Sequence, residues 1–315
     1  MMPKLLLLLL STASLIGVTQ GNAEIVSKKG KVRRQVRGTE HFGEYKYFYD
    51  ASVTNPCETV FFLAVGTAMS VDDYSRISTQ ISTGNPIVTV VSDTNPGNIV
   101  KLQPGKYQGY YESIVPQIQT LIPACANTDD PVILVGGHSA SGQAIVDSFG
   151  KLSPPPSGFI GLDPFSMKGR EIPADLPTLD WGFTRTTCAV TVEDAAMGAY
   201  EISSPEHRVL YRVENDKPSG ITHCSFTDNG CFEPLCSANN GPGEEGDWVI
   251  PAIAVSIHNF ANDVVNNQGK IKKSTFESIE VKEGKALLFV DAEQPGVVAE
   301  QPDYEPETVL AGAEL

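Results

Sequence analysis

At 315 residues the chain can bury a substantial core, and a large single α/β domain fits that length. Its formal net charge of −15 repels nucleic acid and anionic lipid headgroups, so neither is expected as a partner. The one basic cluster, Lys28-Lys29-Gly30-Lys31 with Arg33, Arg34 and Arg37, reads as a solvated first strand rather than a binding patch.

Residues 1–23 read as a signal peptide, with a signal anchor as the alternative. Lys4 precedes Leu5–Leu10 and an apolar run to Val18, and Gly21-Asn22-Ala23 supplies the small residues a signal peptidase needs. The run is too short for a stable membrane span, and nothing later reaches the ~20 apolar residues that crossing a bilayer takes. The expected location is therefore secreted or lumenal within the secretory pathway. Cys57, Cys125, Cys188, Cys224, Cys231 and Cys236 form an even set for such an oxidising compartment. Without a C-x-x-C pair, three disulfides are expected rather than a metal site.

Residues 31–37 and 43–49 alternate like two strands, with a turn near Gly38 to Gly43. Thr59–Val65 reads as a buried strand, Val71–Ile81 as a helix with Asp72 and Asp73 in its first turn, and Pro86–Val91 as another strand. Tyr107–Ile122 is helical in pattern, and Pro116 should bend or interrupt it. Val132–Val135 leads into a glycine-rich turn and a helix from Ser141 to Phe149. Strands follow at Gly158–Leu162, Ala189–Val192 and Arg208–Val213, then a last helix over 248–265. Two hairpin-like strands followed by alternating strands and helices predict an α/β fold, a mostly parallel central sheet flanked by helices. One domain is expected over 24–291, followed by an acidic, disordered tail over 292–315.

Chemistry concentrates in Gly136-Gly137-His138-Ser139-Ala140-Ser141-Gly142. A serine between strand and helix is exposed as a nucleophile only if the residues two places either side are small. Gly137 meets that need. The second glycine falls one place late, at Gly142, leaving Ser141 where glycine is usual. Ser139 is the candidate nucleophile, and its hydroxyl needs a base and a third group to fix that base. An oxyanion needs two amide donors. Ala140 offers one, and Thr67 or Ala68, in the loop after the third strand, the other.

For the acid, Asp163 in Gly161-Leu162-Asp163-Pro164 ends a strand, where open α/β sheets place site residues. Asp194 is its main rival and Asp216 the third. Of five histidines, His41 precedes the third strand, His138 flanks the nucleophile, His207 begins a strand and His258 lies in the last helix. His223 alone satisfies the order Ser, Asp, His from a loop beyond the final core strand.

Gly137-His138-Ser139, Gly161-Leu162-Asp163-Pro164 and His223 together resemble the α/β-hydrolases that include chlorophyllases and secreted platelet-activating-factor acetylhydrolases. The likeness spans residues 40–265. Ser141 and the cysteine-rich stretch Cys224–Cys236 depart from it. The resemblance implies the α/β-hydrolase fold, with its acid on the strand after the nucleophile. It also implies adjacent third and fifth strands, and hence a Cys57–Cys125 bridge. Among the other four cysteines, at least one bond is expected to tie the His223 loop.

The expected activity is carboxylic-ester hydrolysis through an acyl-enzyme on Ser139, on a small-molecule or lipid-like ester, a chemistry that requires no metal or organic cofactor. Peptidase or thioesterase activity would use the same machinery. A catalytically silent hydrolase fold acting as a secreted recognition protein is the alternative from another class. Phe165, Met167 and Met69 read equally as an apolar substrate pocket or as core.

Overall fold

The computed structural model describes residues 23–36, 39–93, 104–184, 194–213, 221–229, 247–267, 269–272, 275–276 and 286–289. Residues 1–22 of the expected leader, the expected strand at 189–192, Asp216 and the tail over 292–315 lie outside them.

Nine strands form one sheet in the order β1-β2-β4-β3-β5-β6-β7-β8-β9. β1 (Ile25–Val36) and β2 (Thr39–Asp50) pair antiparallel, and β2 also runs antiparallel to β4 (Ile87–Ser92). β4, β3 (Thr59–Ala64), β5 (Val132–His138), β6 (Gly158–Leu162), β7 (Thr178–Phe183) and β8 (Arg208–Val213) are mutually parallel. β9 (Ala286–Phe289) closes the far edge antiparallel to β8. The expected mostly parallel α/β sheet is present.

β1 and β2 pair up to Val36 opposite Thr39; Gly38 of the expected turn lies outside the described residues, while Gly43 sits within β2 opposite Val32. A Cβ on Gly43 would lie 1.6 Å from the Tyr110 ring, so this glycine marks a close approach rather than a turn.

Helices cover both faces. A 3₁₀ turn at Val71–Tyr74 runs into α1 (Ser75–Ser82), which packs near α6 (Val249–Asn266). The expected helix over 107–122 is interrupted where Pro116 lacks an amide hydrogen. It divides into α2 (Pro104–Ile114), a 3₁₀ turn at Val115–Gln117 and α3 (Ile118–Leu121). α4 (Ala140–Val146) follows β5, and α5 (Ala196–Ile202) packs on β7.

Alternate side chains feed two cores, as a sheet buried on both faces requires. Phe61, Leu63, Leu134, Ile160 and Trp181 join the core that includes α1 and α6 residues, while Phe62, Val90, Val135 and Phe159 join the core built on α2 and α4. β3 leads to β4 on one side, and β5 begins the run of strands on the other. The strand order thus reverses between β3 and β5, and their C-terminal ends bound the crevice where open sheets hold ligands.

Cys57 and Cys125 are bonded, as expected, with Cα atoms 5.1 Å apart just ahead of β3 and β5. The bond spans 68 residues of sequence, and closing a loop of that size restricts the unfolded chain. The Cys57→Ala/Cys125→Ala double variant is expected to lose about 2–4 kcal/mol. Urea unfolding measures this, and an unchanged midpoint would refute it. Among the described residues no helix is long and apolar enough to cross a membrane.

Candidate active site

Ser139 stands between the last residue of β5 and the first of α4 with φ 59° and ψ −132°. A non-glycine residue in that region costs about 1–3 kcal/mol and must be held by its surroundings. Three backbone bonds hold it: the Ser139 amide donates to the Leu162 carbonyl at 3.1 Å, while the amides of Gly142 and Phe165 both donate to the Ser139 carbonyl at 3.0 Å. Ser139 is 6% exposed.

The tightness of the turn explains both glycines. A Cβ on Gly137 would lie 2.6 Å from the Gly142 amide nitrogen, and one on Gly142 would lie 2.2 Å from Cβ of Pro164. Glycine is therefore needed at 142 because α4 packs there against the Gly-Leu-Asp-Pro segment. Position 141 instead accepts serine, whose hydroxyl donates a short hydrogen bond to the Val65 carbonyl at the end of β3. The off-pattern residue ties α4 to the neighbouring strand.

Asp163 leaves the end of β6 with φ 44°, and its amide donates to the Trp181 carbonyl at 2.6 Å. Its carboxylate Oδ2 lies 2.6 Å from His223 Nδ1, with both residues 2% exposed. The His223 ring has Phe165 stacked at 4.6 Å and His138 at 4.5 Å between ring centroids. Since the Phe165 amide bonds Ser139 and His138 precedes it, the imidazole is flanked by groups fixed to the elbow. Asp163 and His223 are thereby brought together, with the imidazole packed against the residues that flank the serine turn.

The His223 loop is stapled down. His223–Phe226 forms a 3₁₀ turn capped reciprocally by Thr222 and Ser225, and Asp228 accepts the Ser75 and Arg76 amides at 3.0 and 3.1 Å. Cys224 is disulfide-bonded to a cysteine outside the described residues, in line with the expected bond in this loop.

Two segments at the C-terminal ends of β5 and β3, the start of α4 and the loop after β3, carry candidate amide donors. Ala140 opens α4, so its amide has no acceptor within the helix. In the loop after β3 the Gly66 amide is taken by Tyr74 Oη and the Met69 amide by the Gly66 carbonyl. The Thr67 and Ala68 amides have no partner among the described residues. Ala68 has φ 60°, and its side of the loop is exposed.

The rival residues lie elsewhere. Asp194 accepts the Lys168 amide at 2.7 Å and its carbonyl accepts the Met167 amide, so it braces the loop after Asp163 rather than His223. His207 bonds the Gly269 carbonyl and His258 contacts Asn262. His41 lies in β2 opposite Arg34. Met167 is fully buried in the core on the α2 side, and Met69 Sδ sits 3.2 Å from the Tyr74 hydroxyl. Of these three residues, read equally as pocket or core, Phe165 stacks on the imidazole. Tyr74, at the centre of the buried hydrogen bonds, escaped the sequence reading because a tyrosine between Asp73 and Ser75 looks like any core position of an amphipathic helix.

The chain matches no known family model, and no curated protein matches it.

Proposed function

We propose that this chain is a secreted serine ester hydrolase with the α/β-hydrolase fold, acting through an acyl-enzyme on Ser139. The supporting observation is the buried Asp163–His223 pair, 2.6 Å apart and packed against the strained turn that carries Ser139. With Nδ1–H donated to Asp163, His223 keeps its Nε2 lone pair for a proton.

In the proposed reaction His223 takes the Ser139 proton as Oγ attacks an ester carbonyl. Ala140 with Thr67 or Ala68 donates to the developing oxyanion, whose charge is larger than that of the ground-state carbonyl. As the tetrahedral centre collapses, the imidazolium returns its proton to the departing alcohol. Water then enters and gives its proton to His223 as it attacks the acyl carbon; on collapse His223 returns that proton to Ser139 Oγ and the acid is released. Throughout, Asp163 stabilises the imidazolium and fixes its tautomer. The acid's place after β6, one strand beyond the nucleophile, is the feature similar to chlorophyllases and platelet-activating-factor acetylhydrolases, and it favours a small-molecule or lipid-like ester.

A fluorophosphonate probe tests this without knowledge of the substrate. Folded, disulfide-bonded protein is expected to gain one adduct, located by peptide mass spectrometry on Ser139 and absent from Ser139→Ala. An unlabelled Ser139 would overturn the reading and favour a secreted recognition protein.

A further inference from the structure

The hydroxyl of Tyr74 is fully buried and sits among three elements of the crevice. It lies 2.7 Å from the Gly66 amide nitrogen, 2.6 Å from His138 Nδ1 and 3.2 Å from Met69 Sδ. His138, also fully buried, places its other nitrogen, Nε2, 2.9 Å from the backbone carbonyl of His223.

Proton positions follow from acceptor chemistry. A carbonyl only accepts, so Nε2 carries the hydrogen and donates to His223. A neutral imidazole then has only a lone pair at Nδ1, which must be met by the tyrosine O–H. The tyrosine oxygen in turn accepts from the Gly66 N–H. Burial, reinforced by the neighbouring His223, holds the His138 pKa well below the usual imidazole range, in keeping with a neutral ring. One directed chain thus runs from Gly66 N–H through Tyr74 O–H and the His138 ring to the His223 carbonyl. A Cβ on Gly66 would lie 2.8 Å from His138 Nδ1 and 3.2 Å from the Tyr74 oxygen, so glycine is required for this approach.

We infer that Tyr74 and His138 are positioning residues that lock the Thr67–Ala68 amides and the His223 loop to the serine elbow through this directed chain. Neither touches the reacting atoms. Gly66 immediately precedes the two unpartnered amides, so fixing its N–H sets where they point. The His223 carbonyl belongs to the base itself, so fixing it sets where the imidazole stands relative to the elbow. Ser141, bonded to the Val65 carbonyl, secures the same loop one residue earlier.

This inference rests on the hydrolase reading, and phosphonylation kinetics separate the two. Fluorophosphonate inactivation is measured as kinact and KI on wild type, Tyr74→Phe, His138→Leu and His138→Gln, with urea midpoints alongside. Deleting a group that aims an oxyanion donor should cost less than the ~10²–10³-fold of deleting the donor itself, so Tyr74→Phe and His138→Leu are expected to lower kinact by roughly 10–100-fold. KI should stay within about twofold, because the groups act on the reaction and not on probe binding. His138→Gln keeps an N–H that reaches the His223 carbonyl, and should recover most of the rate that His138→Leu loses. Wild-type kinact in Tyr74→Phe, a loss confined to KI, or a glutamine variant no faster than the leucine variant would each overturn the relay. Should Tyr74→Phe fail to fold, the two His138 variants decide. A wild-type chain unlabelled at Ser139 would remove the hydrolase reading, and the relay with it; labelling that is indifferent to all three variants would remove the relay alone.

Discussion

Asp163→Asn is expected to lower the ester-hydrolysis kcat by about 10³–10⁴-fold, with little change in KM. The reason is a tautomer rather than a lost contact. The carboxylate lies 2.6 Å from His223 Nδ1 and can only accept, which leaves Nε2 unprotonated and able to take the serine proton. An asparagine amide turned towards Nδ1 donates instead, which moves the imidazole hydrogen to Nε2 and removes the base. The same substitution also leaves the imidazolium of the transition state without a negative partner at a site 2% exposed. Together these amount to about 4–5.5 kcal/mol of barrier. Steady-state kinetics on a p-nitrophenyl ester measure the loss. Asp194→Asn supplies the contrast: among the described residues its carboxylate accepts the Lys168 amide and not His223, so its kcat should fall by no more than a few-fold. Comparable losses in the two variants, or a kcat within tenfold of wild type in Asp163→Asn, would sink the assignment of the acid.

The site was readable in the chain where chemistry and backbone geometry coincide. A nucleophile turn needs small residues whatever the surroundings, so Gly137 and Ser139 stood out. Asp163 stood out because Pro164 stops the segment from continuing as a central strand. What escaped depends on tertiary partners. The helix from Pro104 broke at Pro116, as a missing amide dictates, but β7 was not foreseen. Its sequence Thr178-Leu-Asp-Trp-Gly-Phe lacks the unbroken apolar run of a strand buried on both faces, because Asp180 and Gly182 interrupt it. Ser141 departs from the motif in sequence alone; its reason lies in the Val65 carbonyl that accepts its hydroxyl and in Pro164, which requires the displaced glycine. No periodicity reveals which tyrosine will meet a histidine 64 residues away.

The same interrupted strand carries the second large expected effect, on stability. Asp180 lies in the middle of β7, opposite Gly161 on one side and Leu210 on the other, and is fully buried. Neither carboxyl oxygen has a hydrogen-bond partner among the described residues. A Cβ on Gly161 would sit 2.1 Å from its Oδ1, so the carboxyl occupies space that a glycine in the next strand provides. Burial raises its pKa well above the ordinary 3.8, because an unpaired charge in that position loses its hydration without compensation. The folded protein therefore holds a proton there that the unfolded chain releases. Between the ordinary value and the raised one, the folded state binds more protons, so Asp180's contribution is most favourable at low pH. It declines as pH rises through this window, by about 1.4 kcal/mol for each unit. An asparagine resembles the neutral acid in shape and cannot ionise. The stability of Asp180→Asn relative to wild type should therefore climb with pH, as read from urea midpoints at pH 5, 7 and 9. Taking the difference between the two proteins cancels the carboxylates they share. A difference that stayed flat across that range would mean that Asp180 is paired after all, and that the strand tolerates it as a charge.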